Sequence, residues 1–538
     1  MISPFQDDVL FLKPAGEYRF GIHAYSRFFN IKAPALDLDT NRGLSLISVL
    51  LGSKREQLLF LDHHQRISRR MSGKLSYNSI VSPGFLLNSF AVHRGFRISM
   101  DYSSAFFNSE IGFNYAKIES DENGGLKDGQ VIDGISRSDY EQLQTFLSDD
   151  RRKIRQYRAF LNNEVVLLNP KSNDSSTSFS LKLHADGEWF RWGTSYSGTA
   201  DTVFYEQVLL DTAVTQDTAG YAYVKFRPAV GLSWLSKLAE LRLKGGYSIY
   251  YLDQLIDTVK TENNYTAPFL DLNVRYDCFD AQLKWSTVVS TRANDGDFSI
   301  VAQTAYRNSR SVFSQLELSY GKSELAPEAS SVFYRSNHFA WENEFGKENF
   351  TWLKSSLGLF GNRLSFSMQW TEVMNYVYLN DRARPVQAPD KVKVLDAYMK
   401  SDVSFRKWRL MADVQWMNSD RGYIRIPEFG VYGRLSFRDH FFKKALFAEF
   451  GMAYYTRSAW KAYAFMPATG MNYLQSGQWV ADSPVLDVFV NAVIGRATLT
   501  FMMQRLNDGM FGGENYLARG YPAAPKTIKF GLLWKLYN

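Results

Sequence analysis

The chain has 538 residues, 15 % aromatics (31 Tyr, 40 Phe, 12 Trp) and a formal charge of +7, yet its mean hydropathy is only −0.28. No stretch approaches the ~18–20 consecutive apolar residues of a membrane-spanning helix, and Lys and Arg form no stripe of the kind that binds nucleic acid. A single cysteine, Cys278, excludes an internal disulfide framework and any multi-cysteine metal site.

From the N-terminus, Met1 to Leu12 carries Asp7-Asp8, lacks a basic leading region and offers only Val9-Leu10-Phe11-Leu12 as an apolar run. It is not a secretory signal peptide. The expectation is that the sequence begins at or near the mature end of an exported protein. Residues 1–56 mix polar and apolar side chains without period, and read as a lead-in: a periplasmic segment, a lumen insert or an extra strand. Asp62-His63-His64-Gln65 holds two adjacent histidines, but neighbours on a strand point to opposite faces, so they make a poor metal or acid/base pair. Asp121-Glu122-Asn123-Gly124-Gly125 lacks the spacing of a calcium-binding EF-hand loop and reads as a turn. The densest basic cluster, Arg151-Arg152-Lys153 with Arg155 and Arg158, follows Asp149-Asp150. Within 137–168, Leu143, Phe146 and Leu147 stand at helical spacing, predicting a short helix in a loop or in the pore.

From about residue 71 to 538 the dominant signal is period-2 alternation. Phe179, Leu181 and Leu183 alternate with Ser180, Lys182 and His184. Leu241 and Leu243, then Tyr247 and Ile249, stand against Arg242, Lys244 and Ser248. Leu270, Leu272, Val274 and Tyr276 alternate with Asp271, Asn273, Arg275 and Asp277, and Ala281, Leu283 and Trp285 with Gln282, Lys284 and Ser286. Leu357 and Leu359 enter Phe360-Gly361-Asn362-Arg363, whose Gly-Asn pair suits a two-residue hairpin turn. Leu364, Phe366, Met368 and Trp370 then alternate with Ser365, Ser367, Gln369 and Thr371. Leu410, Ala412, Val414 and Trp416 continue the pattern. Ile528, Phe530, Leu532, Trp534 and Leu536 close the chain, alternating with residues up to Tyr537.

The spacing is roughly 20–25 residues per strand and connection, which gives roughly 16–22 strands. The connections are of two kinds. Asp277–Asp280, Phe360–Arg363, Phe405–Trp408 and Ile494–Ala497 are short; Asn418–Glu428, Tyr455–Asp482 and Asn507–Pro525 are long. A transmembrane antiparallel β-barrel over 57–538, with short periplasmic turns and long external loops, produces this asymmetry. A soluble sandwich or propeller is the competitor. Segments of about ten residues, longer than the ~5–6 of soluble strands, favour the barrel. So do aromatics at segment ends such as Tyr276, Trp285, Tyr306, Tyr320, Trp341, Trp370, Trp416 and Trp479.

No metalloprotease, serine-hydrolase or zinc pattern occurs around the seven histidines, so neither an enzyme nor a cofactor is expected. Arg242, Lys244, Arg275, Lys284 and Arg434 are candidate lumen charges that would set ion preference, with plain solvation of a wide pore wall as the alternative.

The C-terminal stretch Pro484 to Asn491, Gly512-Gly513-Glu514-Asn515-Tyr516, Gly520-Tyr521-Pro522 and Lys529 to Tyr537 resembles the last strands of the putative porin family of Bacteroidota. Glu122 to Gly125, Ser148 to Leu161 and Phe5-Gln6-Asp7-Asp8 resemble the same family. The resemblance implies an outer-membrane barrel with diffusion-pore activity. One departure stands out: such barrels usually end on an aromatic residue read by the barrel-assembly machinery, whereas Tyr537 is penultimate and Asn538 last. Residues 1–56 are too short for the plug of a TonB-dependent transporter.

Two functions follow as expectations. The first is an outer-membrane channel for passive diffusion of small hydrophilic solutes. The second is an accessory barrel with a plugged lumen in a larger complex for secretion, barrel assembly or nutrient uptake. Expected partners are outer-membrane lipid and lipopolysaccharide, the assembly machinery, and other outer-membrane proteins or lipoproteins, but no nucleic acid.

Overall fold

The computed structural model describes residues 43–127, 139–168, 177–200, 203–236, 239–256, 259–279, 284–294, 297–308, 311–477, 479–480, 484–508, 510 and 516–537. Among the described residues twenty-two strands form one antiparallel sheet in which each pairs with its neighbours in chain order. The sheet closes: the last strand, Thr527–Tyr537, pairs with the first, Leu44–Gly52, from Leu44 opposite Tyr537 to Gly52 opposite Lys529. Closure leaves no edge whose N–H and C=O groups would face hydrocarbon unpaired.

Pairing fixes the faces, because directly opposed residues share a side and successive residues alternate. Starting from Phe530, half exposed, the outward set runs through Leu51 and Phe501 and around the wall. It includes Ile98, Met100, Ile111, Leu316, Leu318 and Met368, all exposed. The opposite face carries Ser99, Gln369, Thr371, Gln415 and Asp487, all buried. An apolar exterior around a polar interior inverts a soluble protein and suits a wall set in lipid.

Three sequence expectations are corrected here. The wall begins at Leu44 rather than at residue 57, so of the three readings of 1–56 the extra strand is the one that fits Leu44–Gly52. Its alternation was masked because the inward residues Leu46 and Leu50 are as apolar as the outward Ile47, Val49 and Leu51. The rest of the lead-in, residues 1–42, lies outside the described residues. The helical segment near 137–168 reduces to one 3-10 turn, Asp139–Gln142, followed by the 19-residue strand Asp150–Leu168. Leu143 and Leu147 stand four apart because they enter two different buried clusters, not one helix face. The hairpin at 360–363 is also wider than expected. Leu359 pairs with Leu364, and Phe360, Gly361 and Asn362 all take positive φ. Two-residue turns do occur where Phe405 meets Trp408 and Ile494 meets Ala497, with Arg406 and Gly495 at positive φ.

Of the aromatics expected at strand ends, Tyr320 and Trp370 stand on the outer face. Trp341 and Trp479 belong to connections instead. Trp341 stacks on Tyr334 with ring centroids 4.8 Å apart. Ala281 and Leu283 lie outside the described residues.

Candidate functional site: a capped lumen

All the long connections lie at one end of the wall, together with a few short ones such as Gly52 to Gln57, and the other end carries short turns. The long connections are not independent flaps. Leu147 comes from the connection after the fifth wall strand, Tyr205 from that after the seventh, and Tyr334 and Phe339 from that after the thirteenth. Ala383 follows the fifteenth and Met466 and Ala468 the nineteenth. All share one buried cluster with Tyr196 of the seventh strand. The fifth and fifteenth strands are ten apart on a wall of 22, nearly a diameter. The connections therefore meet across the mouth and cap it. A second cluster joins Leu126, Tyr140 and Leu143 to Trp460, Ala462, Val480 and Tyr516.

Polar contacts latch the cap. Asn337 accepts from the backbone N–H of Leu210 and Asp211, both at 2.9 Å, through Oδ1. Its Nδ2 donates to the Asp211 carbonyl at 2.9 Å and to Thr215 Oγ1 at 3.0 Å. Its own N–H donates to Asp217 at 2.7 Å. His338 contacts the Gln207 carbonyl and Thr215 Oγ1, each at 2.9 Å, and stacks on Tyr205 with centroids 3.9 Å apart. This ties the thirteenth connection to the seventh. Between the fifth and the twenty-first, Leu126 N–H donates to the Gly520 carbonyl at 2.8 Å.

Beneath lies a charged floor. Tyr196 donates to Asp150 at 2.6 Å and contacts the Tyr205 hydroxyl at 2.6 Å. Arg152, buried, donates through Nε to Glu122 at 3.3 Å. Gly470 closes over that guanidinium at φ +72°; a Cβ there would stand 2.1 Å from Arg152 Nη1. Burial pushes the Tyr205 hydroxyl well above its ordinary range and that of Tyr334, which donates to the Ala468 carbonyl at 3.3 Å, up to about 12. Tyr463, bonded to the Tyr423 carbonyl at 2.9 Å, is likewise raised to about 12 by burial.

On the wall below, Arg242, Lys244, Arg275 and Arg434 all occupy the inward face, opposite in phase to outward Leu241, Val274 and Leu435. Arg242, Lys244 and Arg275 stand on two adjacent strands in consecutive inward rungs, whereas Arg434 lies eight to nine strands away along the wall. Lys244 pairs with Asp186 at 2.8 Å, Arg242 with Glu240, and Arg434 with Glu449 at 3.1 Å while lying 4.2 Å from the centre of the Phe489 ring. Lys284 opens the strand Lys284–Asn294, and its side chain lies outside the described residues. In the closing strand Ile528, Phe530, Leu532, Trp534 and Leu536 face outward. Tyr537 faces inward, opposite Leu44, with the Arg496 guanidinium 5.6 Å from its ring centre. His63 and His64 fall on opposite faces: His63 bonds Ser45 at 2.8 Å, while His64 stands opposite Lys74 on the inner side. Asp121 to Gly125 is a structural corner in which Glu122 holds Arg152 and Asn123 Oδ1 accepts from Gly125 N–H. Among the described residues no cluster of His, Cys, Asp or Glu could hold a metal ion.

The cap was not legible in the sequence. Ser336-Asn337-His338-Phe339 has neither period nor motif, and its partners lie more than a hundred residues away.

A closed wall of this construction is an outer-membrane transport-type β-barrel. A family model described as "Putative porin" matches residues 8–538, so the chain belongs to that putative porin family. No curated protein matches the sequence. Among solved structures, the copper transporter OprC aligns at 10 % identity over 92 % of this chain and 81 % of its own, with a TM-score of 0.65. The FrpB iron transporter from Neisseria meningitidis aligns at 9 % identity over 93 % and 83 %, TM-score 0.62. The siderophore receptor PirA from Acinetobacter baumannii aligns at 8 % over 93 % and 81 %, TM-score 0.62. At these identities the likeness is one of fold.

Proposed function

We propose that the chain is an outer-membrane channel for passive diffusion of small hydrophilic solutes, not an enzyme, and that its external mouth is restricted by the loop cap. The observation that carries this reading is the 22-strand wall with polar side chains such as Gln369, Thr371 and Gln415 turned inward beneath loops that meet over one end. A polar lumen solvates small hydrophilic solutes without a dedicated binding site. The cap limits which of them enter and how often. Membership of the porin family supports the same reading.

The test is single-channel conductance of the detergent-folded full chain in a planar bilayer, beside a variant with 459–479 replaced by a short Gly-Ser linker. Small or rare openings that become large and steady in the linker variant support a restricted pore. The cap also favours a second reading, an accessory barrel in a larger outer-membrane complex. Silence from both folded, inserted proteins would favour that one, with an outer-membrane protein or lipoprotein as the partner to seek.

A further inference from the structure

The basic cluster on the strand Asp150–Leu168 divides between the two faces: Arg152 and Arg158 turn inward, while Arg151, Lys153 and Arg155 turn outward. On the outer side Arg155 stands directly opposite Lys117 of the strand Phe107–Glu122, and Lys117 directly opposite Arg94 of the strand Ala91–Ser103. Three cations thus occupy one rung of the wall. Like charges in direct cross-strand register repel, so something else must account for the row.

The surroundings do not neutralise it. Glu119 takes Lys117 at 2.9 Å and Asp121 takes Arg151 at 2.9 Å. Lys153 stands opposite Glu119, and Arg191, opposite Tyr157 on the next strand, extends the patch. Six outward cations therefore face two carboxylates. Among the described residues Arg94, Arg155 and Arg191 have no ion-pair partner, and Lys153 shares Glu119 with Lys117.

The height of the row on the wall names the occupant. One rung toward the turn end, Phe96, Tyr115 and Tyr157 stand in register, the two tyrosine rings 5.1 Å apart. Beyond them come Ile98, Met100, Ile111 and Leu161, all exposed on the outer face. An aromatic rung above an apolar band marks the lipid interface, so the cations stand at headgroup height on the side of the long loops. Beside Arg155, Gly193 and its partner Gly220 carry no side chain and leave the wall flat. Guanidinium and ammonium groups converging on a flat, partly apolar surface suit a phosphate carried on a sugar with acyl chains running down the wall.

We propose that Arg94, Lys117, Lys153, Arg155 and Arg191 form a binding site for the phosphate groups of an outer-leaflet glycolipid. The assignment rests on the outer-membrane reading with the long loops outside, but not on whether the lumen conducts. Bound phosphate offsets the repulsion within the row and fixes the rotational setting of the barrel relative to its lipid annulus.

The test uses the full chain, folded in detergent, stripped of lipid and titrated with bisphosphorylated lipid A under native mass spectrometry. The triple variant Arg94→Gln, Lys153→Gln, Arg155→Gln should bind at least about tenfold more weakly, since loss of even one charge-assisted contact of ordinary strength corresponds to about that factor. Lys407→Gln, in a turn at the opposite end, should bind as the parent does. Heat-modifiable mobility checks folding, and Arg155→Gln alone carries the test if the triple variant does not fold. Dephosphorylated lipid A should bind weakly. Equal binding of the two lipids, or undiminished binding by the variant, overturns the proposal. Displacement of lipid A by comparable concentrations of inorganic phosphate would show a free-anion site and overturn the glycolipid assignment.

Discussion

Trp534 of the last wall strand lies directly opposite Ile47 of the first, and on its other side opposite Ala497 of the preceding strand. The strand Thr527–Tyr537 is therefore the seam of the barrel, hydrogen-bonded on both sides. Its outward residues are those whose alternation ended the sequence pattern.

Deleting residues 528–538 should abolish membrane insertion, because it exposes two strand edges at once. Each unsatisfied backbone group in lipid costs several kcal/mol, and nine residue pairs join the first and last strands alone. Heat-modifiable, membrane-embedded protein from this deletion would sink the account of the seam.

The cap should fail separately from the wall. Asn337→Ala strands the part-buried N–H groups of Leu210 and Asp211 and leaves the Thr215 hydroxyl only its contact with His338, at up to about 1–3 kcal/mol for each N–H left unsatisfied. Limited trypsin digestion should then cut at Arg335 while the barrel keeps its heat-shifted mobility. Resistance equal to that of the parent would mean that the latch contributes little.

Gly470→Val should loosen the same cap from the other side. It introduces a branched side chain at a left-handed φ and into the Arg152 guanidinium, and displaced loops should raise conductance without lowering the yield of folded barrel. Unchanged conductance from folded protein would show that this contact does not restrict the mouth.

The wall was readable because its rule is local. Period-2 alternation in Leu364–Trp370 or Ile528–Leu536 reports a face without knowledge of the neighbour, and the observed 22 strands stand at the upper end of the expected range. The rule failed where both faces are apolar, as at Leu46, Ile47 and Leu50. It also mistook for helix a loop whose Leu143 and Leu147 serve two clusters. Candidate lumen charges could be placed on the inner face for the same local reason. Their pairing with Asp186 or Glu449 depends on the register of other strands, which no single segment encodes. The cap lay beyond reach altogether, since the partners of Asn337 stand more than a hundred residues away in the chain.

Ion preference should be weak in the parent and open to tuning, because the inner charges are largely self-compensated. Arg409 with Asp402, Lys182 with Glu164 and Arg158 with Glu188 repeat the pattern of Lys244 and Arg434. Glu449→Gln in the Asn337→Ala background should shift the reversal potential in a salt gradient toward anions by freeing the Arg434 charge. No shift would place Arg434 away from the conducting path.

Alkali should open the cap before it harms the wall. Tyr334 and Tyr463 are held up to about 12 by burial, and Tyr205 is also raised well above its ordinary value, whereas an unfolded tyrosine ionises near ~10. A group whose folded pKa is raised lends stability that is fully present below the unfolded value. That stability is lost as pH rises through the folded one. For Tyr334 the gap corresponds to about 2–3 kcal/mol, lost over roughly pH 10–12 as its hydroxyl leaves the Ala468 carbonyl. Conductance should therefore rise over that window, together with a late step in tyrosinate absorbance. Tyr334→Phe should shrink the late step. Titration of every tyrosine near the unfolded value, with conductance flat, would show that these hydroxyls do not hold the cap.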